Sequence, residues 1–156
     1  MYRRTLSALA LAVLLASPVL AQTAADPATH MASLKAQLAP GKQVFISRQM
    51  GLNPAEEADF WPAYDAHQSE LADLVQRRRD AAAAYARLAS LDEEAAIELA
   101  EEMAEIDLEE ARLNEKTYSR LSRQLPAAKA LKYLQLERQL STLLRYELAA
   151  MAPLSN

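Results

Sequence analysis

Two side chains stand at a spacing that can hold a metal ion. His67 and Glu70 are three residues apart, so on a helix they share a face, and Asp65 and Asp73 lie nearby. Zinc and nickel sites normally use more strong donors than this pair supplies. The second histidine, His30, lies in another segment beside Met31, and no H-E-x-x-H pattern occurs. Nucleophilic catalysis has even less to draw on. The chain has no cysteine, no G-x-S-x-G elbow, and no histidine beside a serine nucleophile with a third partner. Its only glycines are Gly41 and Gly51, so no glycine-rich loop exists to cradle a phosphate. These residue types predict a protein that is not an enzyme and that needs no cofactor. A lone helical histidine beside aromatics reads as a packing or surface residue, with His67 and Glu70 as a metal pair the alternative. Arg77, Arg78, Arg79 and Arg87 form the densest basic cluster. They either line a binding surface or are consumed internally.

The elements that carry these residues are helices. Alanine, leucine, glutamate and arginine dominate, and no run alternates with period two. Asp26 to Met50 reads as helix interrupted at Pro40-Gly41, in two shorter pieces, with Gly51 as a left-handed C-terminal cap. A second helix starts at Asn53. Pro54 suits its first position, Glu56 completes a capping box, and Glu57 and Asp59 add charge against the helix dipole. It runs to about Ala89, with a kink expected near Phe60 to Pro62. Phe60, Tyr64, His67, Leu71 and Leu74 form one row, and Trp61, Tyr64, Gln68, Leu71 and Val75 its neighbour. Aromatic rows at this spacing predict a packing face.

A third helix begins near Ser90, where Ser90 and Glu93 form a second capping box and Asp92 is an alternative cap. Its main apolar stripe is Ile97, Ala100, Ala104, Leu108, Ala111, Tyr118 and Leu125, with Met103, Ile106 and Leu113 on an adjacent face. Leu125-Pro126 breaks it. A fourth helix runs from about Ala127 to Ala149, with Tyr133, Leu136, Leu140, Leu143 and Leu144 on one side, widened by Leu131 and Leu134. Its start has no polar cap, so a kinked continuation of the third helix is also open. The expected fold is all-α, an elongated bent hairpin of about four helices.

The chain opens with Arg3 and Arg4, then an apolar run from Leu6 to Ala16, then small residues suited to cleavage after Ala21. That is the outline of a secretory signal peptide over residues 1–21. A single helical domain over 22–152 and a short tail at 153–156 follow. Without the leader, 15 basic and 21 acidic residues remain, a net charge of −6. This acidic balance gives no overall drive toward nucleic acid. After cleavage no segment is apolar enough for stable membrane insertion.

Charge also predicts the pairing. Ten acidic residues and no basic one lie between Asp92 and Glu110. Folding an antiparallel hairpin about Leu91 sets Arg77 to Arg79 against Glu101, Glu102 and Glu105. It also brings Glu56, Glu57 and Asp59 toward Arg120, Arg123 and Lys129. A parallel arrangement would place acid beside acid.

Three helix starts share one outline: Leu52-Asn53-Pro54-Ala55-Glu56, Leu91-Asp92-Glu93-Glu94-Ala95 and Leu125-Pro126-Ala127-Ala128-Lys129. With the leader and the hairpin, this resembles the LTxxQ-motif proteins, the periplasmic Spy and CpxP group and their heavy-metal-sensing relatives. Phe60-Trp61-Pro62-Ala63-Tyr64 is similar to a branch with an N-P-x-x-A-x-x-F-W-P-x-Y outline, as are Leu134-Gln135-Leu136-Glu137 and Tyr146-Glu147-Leu148-Ala149. Glu56 and Lys129 stand where the motif has glutamine, and neither copy has threonine. The resemblance implies a periplasmic homodimer with a cradle-like surface. Its partners would be unfolded or partly folded envelope proteins, held without ATP, or a membrane stress sensor. Heavy-metal sensing, or an adaptor role toward one envelope partner, is the alternative. Arg77, Arg78, Arg79 and Arg87 are the candidate client surface.

Overall fold

The computed structural model describes residues 26–87, 90 and 92–151. The expected leader with its cleavage point after Ala21, the hairpin pivot at Leu91 and the tail at 153–156 lie outside those residues. All regular structure among the described residues is helical: α1 (Pro27–Leu38), α2 (Lys42–Met50), α3 (Pro54–Tyr85), α4 (Glu93–Leu121) and α5 (Ala127–Met151). The all-α class therefore holds. The expected interruption at Pro40-Gly41 leaves two separate N-terminal helices, which with α3, α4 and α5 make five among the described residues instead of about four. None of these helices is long and apolar enough to cross a membrane.

Local chemistry sets the boundaries. Asp26 caps α1 by accepting from the Thr29 amide, and Pro27 takes the first turn. Gly51 ends α2 at φ +56°, ψ +51°, the left-handed conformation that a side chain would strain. The capping box at α3 is complete: Asn53 Oδ1 accepts from the Ala55 and Glu56 amides, and the Glu56 carboxylate accepts from the Asn53 amide. For α4 the cap is Asp92, which accepts from the Ala95 amide at 2.9 Å. The Ser90 hydroxyl instead donates to the Arg87 carbonyl, so the expected Ser90–Glu93 box does not form. A short turn at Ser122–Gln124, followed by Pro126, separates α4 from α5.

Pro62 neither ends nor divides α3, which continues through it for 32 residues, about 48 Å. Pro62 and Ala58 are both exposed, so water can bond the Ala58 carbonyl that the proline leaves without a donor.

The longest contact is between α3 and α4, and α5 packs against both. Glu70 pairs with Lys116 and Arg77 with Glu102 and Glu109, so α3 and α4 run antiparallel. The main core is one-sided along this hairpin. Phe60, Ala63 and Tyr64 of α3 meet Leu121 and Leu125, Ala130, Tyr133 and Leu136 of α5, and Phe45, Ile46 and Met50 of α2. Leu34 of α1 joins the same cluster. The α2 hairpin partner therefore covers only the end of α3 that begins at Pro54.

Asp92→Ala is expected to lower stability by about 1 kcal/mol, the usual effect of losing a side-chain cap. Ser90→Ala should change it by much less. Urea unfolding of the two variants separates them, and equal losses would return the cap to Ser90.

Candidate functional site

The F-W-P-x-Y stretch is packing. Phe60 is fully buried, Tyr64 nearly so, and Trp61 partly. Phe60 meets Tyr133 edge-on at 5.2 Å between ring centres, and Trp61 meets Tyr64 edge-on at 5.3 Å. Such pairs add about 0.5–1.5 kcal/mol each beyond area burial. Burial and the nearby Glu137 charge push the Tyr64 hydroxyl up to about 12. Leu52 packs on the same core, and Pro54 occupies the first turn beside the Asn53 cap. Glu56 has a further role: Lys129 at the start of α5 pairs with it. The hydrogen bond from Lys129 holds the Glu56 carboxyl below its ordinary value, helped by the Asn53 amide. The two positions that depart from the glutamine motif are thus bonded to each other.

One turn beyond Tyr64, the aromatic row becomes polar. His67 is 2% exposed and Glu137 of α5 is 4% exposed. His67 Nδ1 lies 2.7 Å from the Tyr133 hydroxyl. Gln68 Nε2 donates to the Tyr133 oxygen and to Glu137 Oε1. Lys42 Nζ, at the start of α2, donates at 2.7 Å to both Gln68 Oε1 and Glu137 Oε2. The network thus ties α2, α3 and α5, and the Lys42 ammonium balances the buried Glu137 carboxylate. Desolvation lowers the His67 pKa, outweighing the raising effect of Glu137, so the ring is neutral at pH 7. Burial drives the Tyr133 hydroxyl strongly upward, so it keeps its proton.

Glu70 serves a different surface. Its exposed carboxylate takes both hydrogen bonds from Lys116, at 2.7 and 2.8 Å, while His67 bonds inward to Tyr133. The two candidate metal ligands therefore hold separate partners. Among the described residues no group of three or more His, Asp or Glu side chains is placed to hold a metal ion.

The arginines divide. Arg77 bonds Glu102 in bidentate fashion at 2.7 and 2.9 Å and reaches Glu109 at 2.8 Å. Arg78, the more buried, bonds Asp107 and Glu110. Glu110 is a junction of three helices, because it also accepts from Ser141 and Arg145 of α5. Glu102 and, at 3.7 Å, Glu105 are partners of Arg77 as expected, whereas Asp107, Glu109 and Glu110 lie about one turn further along α4 and Glu101 takes no part among the described residues. Arg79 and Arg87 are exposed and carry no ion pair among the described residues. Of the four, only these two remain available to a partner.

The face of α4 is the largest revision. Ile106, Leu113, Thr117 and Leu121 point into the protein. The row expected as its main stripe is largely outward: Ala100, Ala104 and Ala111 are exposed, with Ile97 at 54% and Leu108 at 50%. Arg77 and Arg78 fix this rotation, since Glu102, Glu109 and Glu110 must turn toward α3. Tyr118 and Leu125, at the far end of that stripe, do join the core. On α5, Leu131 is likewise exposed rather than packed. Lys42, Gln68, Tyr133, Glu137, Glu110 and Ser141 were not singled out as site residues. The available signal was a carboxylate in an apolar phase: Glu137 follows Leu136 and precedes Leu140 by three.

No protein-family model matches the chain, and no curated protein and no solved structure matches it either.

Lys42→Met leaves Glu137 buried without its counter-charge. The expected cost is about 2–3 kcal/mol, below the roughly 3–5 of a fully buried pair because Lys42 is still one-third exposed. The double variant Lys42→Met/Glu137→Met should recover more than half of it, read by urea unfolding. His67 gives a second test. Its pKa is lowered on folding, so below about 6.5 the unfolded chain takes up a proton that the folded chain resists. Stability present above that pH is therefore lost as pH falls toward 5. His67→Gln should flatten this window, whereas the lowered carboxyls of Glu56, Glu102 and Asp107 act only at more acidic pH.

Proposed function

We propose that this chain is a periplasmic, Spy/CpxP-like binding protein that holds partly folded envelope proteins without ATP and works as a homodimer. The observation that carries this reading is the exposed apolar row of α4, from Ile97 through Ala100, Ala104 and Leu108 to Ala111. It extends about 21 Å along the helix, and among the described residues no element packs on its outer side. Alanines keep the row low, so an extended segment can lie along it, while Ile97 and Leu108 supply apolar anchors. Exposed carboxylates at Glu94, Glu98, Glu101 and Glu105 border one side. That combination suits chain segments that mix apolar and basic residues, which partly folded proteins expose. Weak contact spread over a long strip is what a holding protein needs, since it must release clients without an energy source. The signal-peptide outline of residues 1–21 supports delivery to the periplasm.

The test is suppression of aggregation of several chemically denatured model clients at stoichiometric ratios. The wild-type chain is expected to protect them. Ile97→Glu/Leu108→Glu should reduce protection at least fivefold with an unchanged helical circular-dichroism spectrum, because both positions are already half exposed. Unchanged protection in the double variant would move the client surface elsewhere. No protection of any client, with one tight partner in a pull-down, would replace the chaperone reading with that of an adaptor.

A further inference from the structure

We infer that the cleft beside His67 binds a small, uncharged, mainly aliphatic molecule bearing one hydrogen-bond-accepting oxygen. This site is separate from the outer face of α4. It has a volume of about 350 Å³ and lies where α1, α3, α4 and α5 converge. That volume is within the roughly 300–1,000 Å³ range of small-molecule sites, and the space between packed helices is a common place for them. Most of its exposed wall is aliphatic, from Leu38 of α1, Leu71, Leu74 and Val75 of α3, and Leu140 and Leu144 of α5, with Asn114 and Ser141 as uncharged polar groups.

Among the described residues His67 Nε2 is buried and has no partner at hydrogen-bond distance, and Asn114 of α4, which also lines the cleft, is the polar side chain that acts on the ring. The opposite nitrogen faces Tyr133, which does not line the cleft, whereas His67 does. The ring edge turned to the cleft therefore carries Nε2. The network fixes which form this nitrogen takes. Gln68 Oε1 accepts from Lys42, so Gln68 Nε2 is the donor toward the Tyr133 oxygen. The Tyr133 hydroxyl then gives its own proton to His67 Nδ1 at 2.7 Å rather than to the neighbouring Glu137 carboxylate, whose two oxygens already accept from Gln68 and Lys42. With Nδ1 accepting, the neutral ring carries its hydrogen on Nε2. The cleft thus presents the His67 Nε2–H without a bonded acceptor, beside the Asn114 amide, an arrangement that a carbonyl, ether or hydroxyl oxygen completes.

The charged groups lining the cleft select against ions. Lys42 is paired with Glu137, and Arg78 with Glu110. Two positive and two negative groups cancel, and each already has its counter-charge. A charged ligand would enter an apolar space with no free opposite charge to meet it. The same tautomer argues against a metal, which would require Nε2 to give up its hydrogen.

The test uses four eight- or nine-carbon probes on the full mature chain. They are 2-octanone, its near-isostere 2-methyl-1-octene, octanoate and octylammonium. Binding is followed by ¹H–¹⁵N spectra of the imidazole rings, with His30→Gln used to assign His67. Saturable 2-octanone binding is expected, at least fivefold tighter than the alkene, with a downfield shift of the His67 Nε2 proton. His67→Phe should abolish the preference for ketone over alkene. This comparison on the wild-type protein stands even if that variant fails to fold. Ketone and alkene affinities within twofold would overturn the proposal. So would tighter binding of either ion, an unmoved Nε2 proton at saturation, or no saturable ketone binding up to its solubility limit.

Discussion

A carboxylate inside an apolar helix bundle has to be neutralised by something the chain can bring to it. Glu137 is that group here, and Lys42 is the answer. Lys42 is the first residue of α2, so meeting this demand requires the chain to turn at Pro40-Gly41 and lay α2 across α5. Once α2 is there, Phe45, Ile46 and Met50 fall against Phe60 and Tyr133, and the main core closes. Gln68 sits between the two charges and passes the constraint to Tyr133 and His67, which fixes α3 as well. The polar network and the apolar core are thus one construction, with the charge choosing the arrangement and burial supplying most of the stability.

A second charge junction orients α4. Glu110 accepts from α3 and α5 together, and Arg77 spans Glu102 and Glu109 on one face. Those bonds turn Glu102, Glu109 and Glu110 toward the neighbouring helices and the alanine-rich side of α4 outward. Individually, exposed pairs contribute little. Arg78 and Glu110 differ because both are largely shielded from solvent, and because the alternative rotations of α4 would leave them without partners. The helix presents its apolar row to solvent as a consequence of satisfying its charges.

Much of this was readable in advance. The Asn53-Pro54-Glu56 start, the Gly51 stop, the break at Pro126 and the antiparallel charge pairing are local signals with few competing outcomes. Lys129 fell near Glu56 as expected. The rotation of α4 was not readable, because its sequence offers two apolar rows and periodicity alone does not rank them. Ile106 and Leu113 won over Ile97 and Leu108 through bonds to arginines 25 to 32 residues away. The His67 site was only half visible. Its histidine and aromatics stood out, but Lys42 and Glu137 are 95 residues apart and meet only through the path of α2. The Ser90 cap failed to form for a smaller reason: Asp92, two residues on, accepts the same kind of bond closer to the helix.

The two halves of the long hairpin are held by different forces. Near Pro54 the grip is aromatic and aliphatic; toward Tyr85 it is mostly guanidinium on carboxylate, with Ala81 and Ile106 between. Dissolved salt screens the second kind and leaves the first nearly untouched. Rising ionic strength therefore loosens the molecule from one end. Amide protons near Tyr85 and Ile97 are expected to exchange through partial opening, and those around Phe60 and Tyr133 only through complete unfolding.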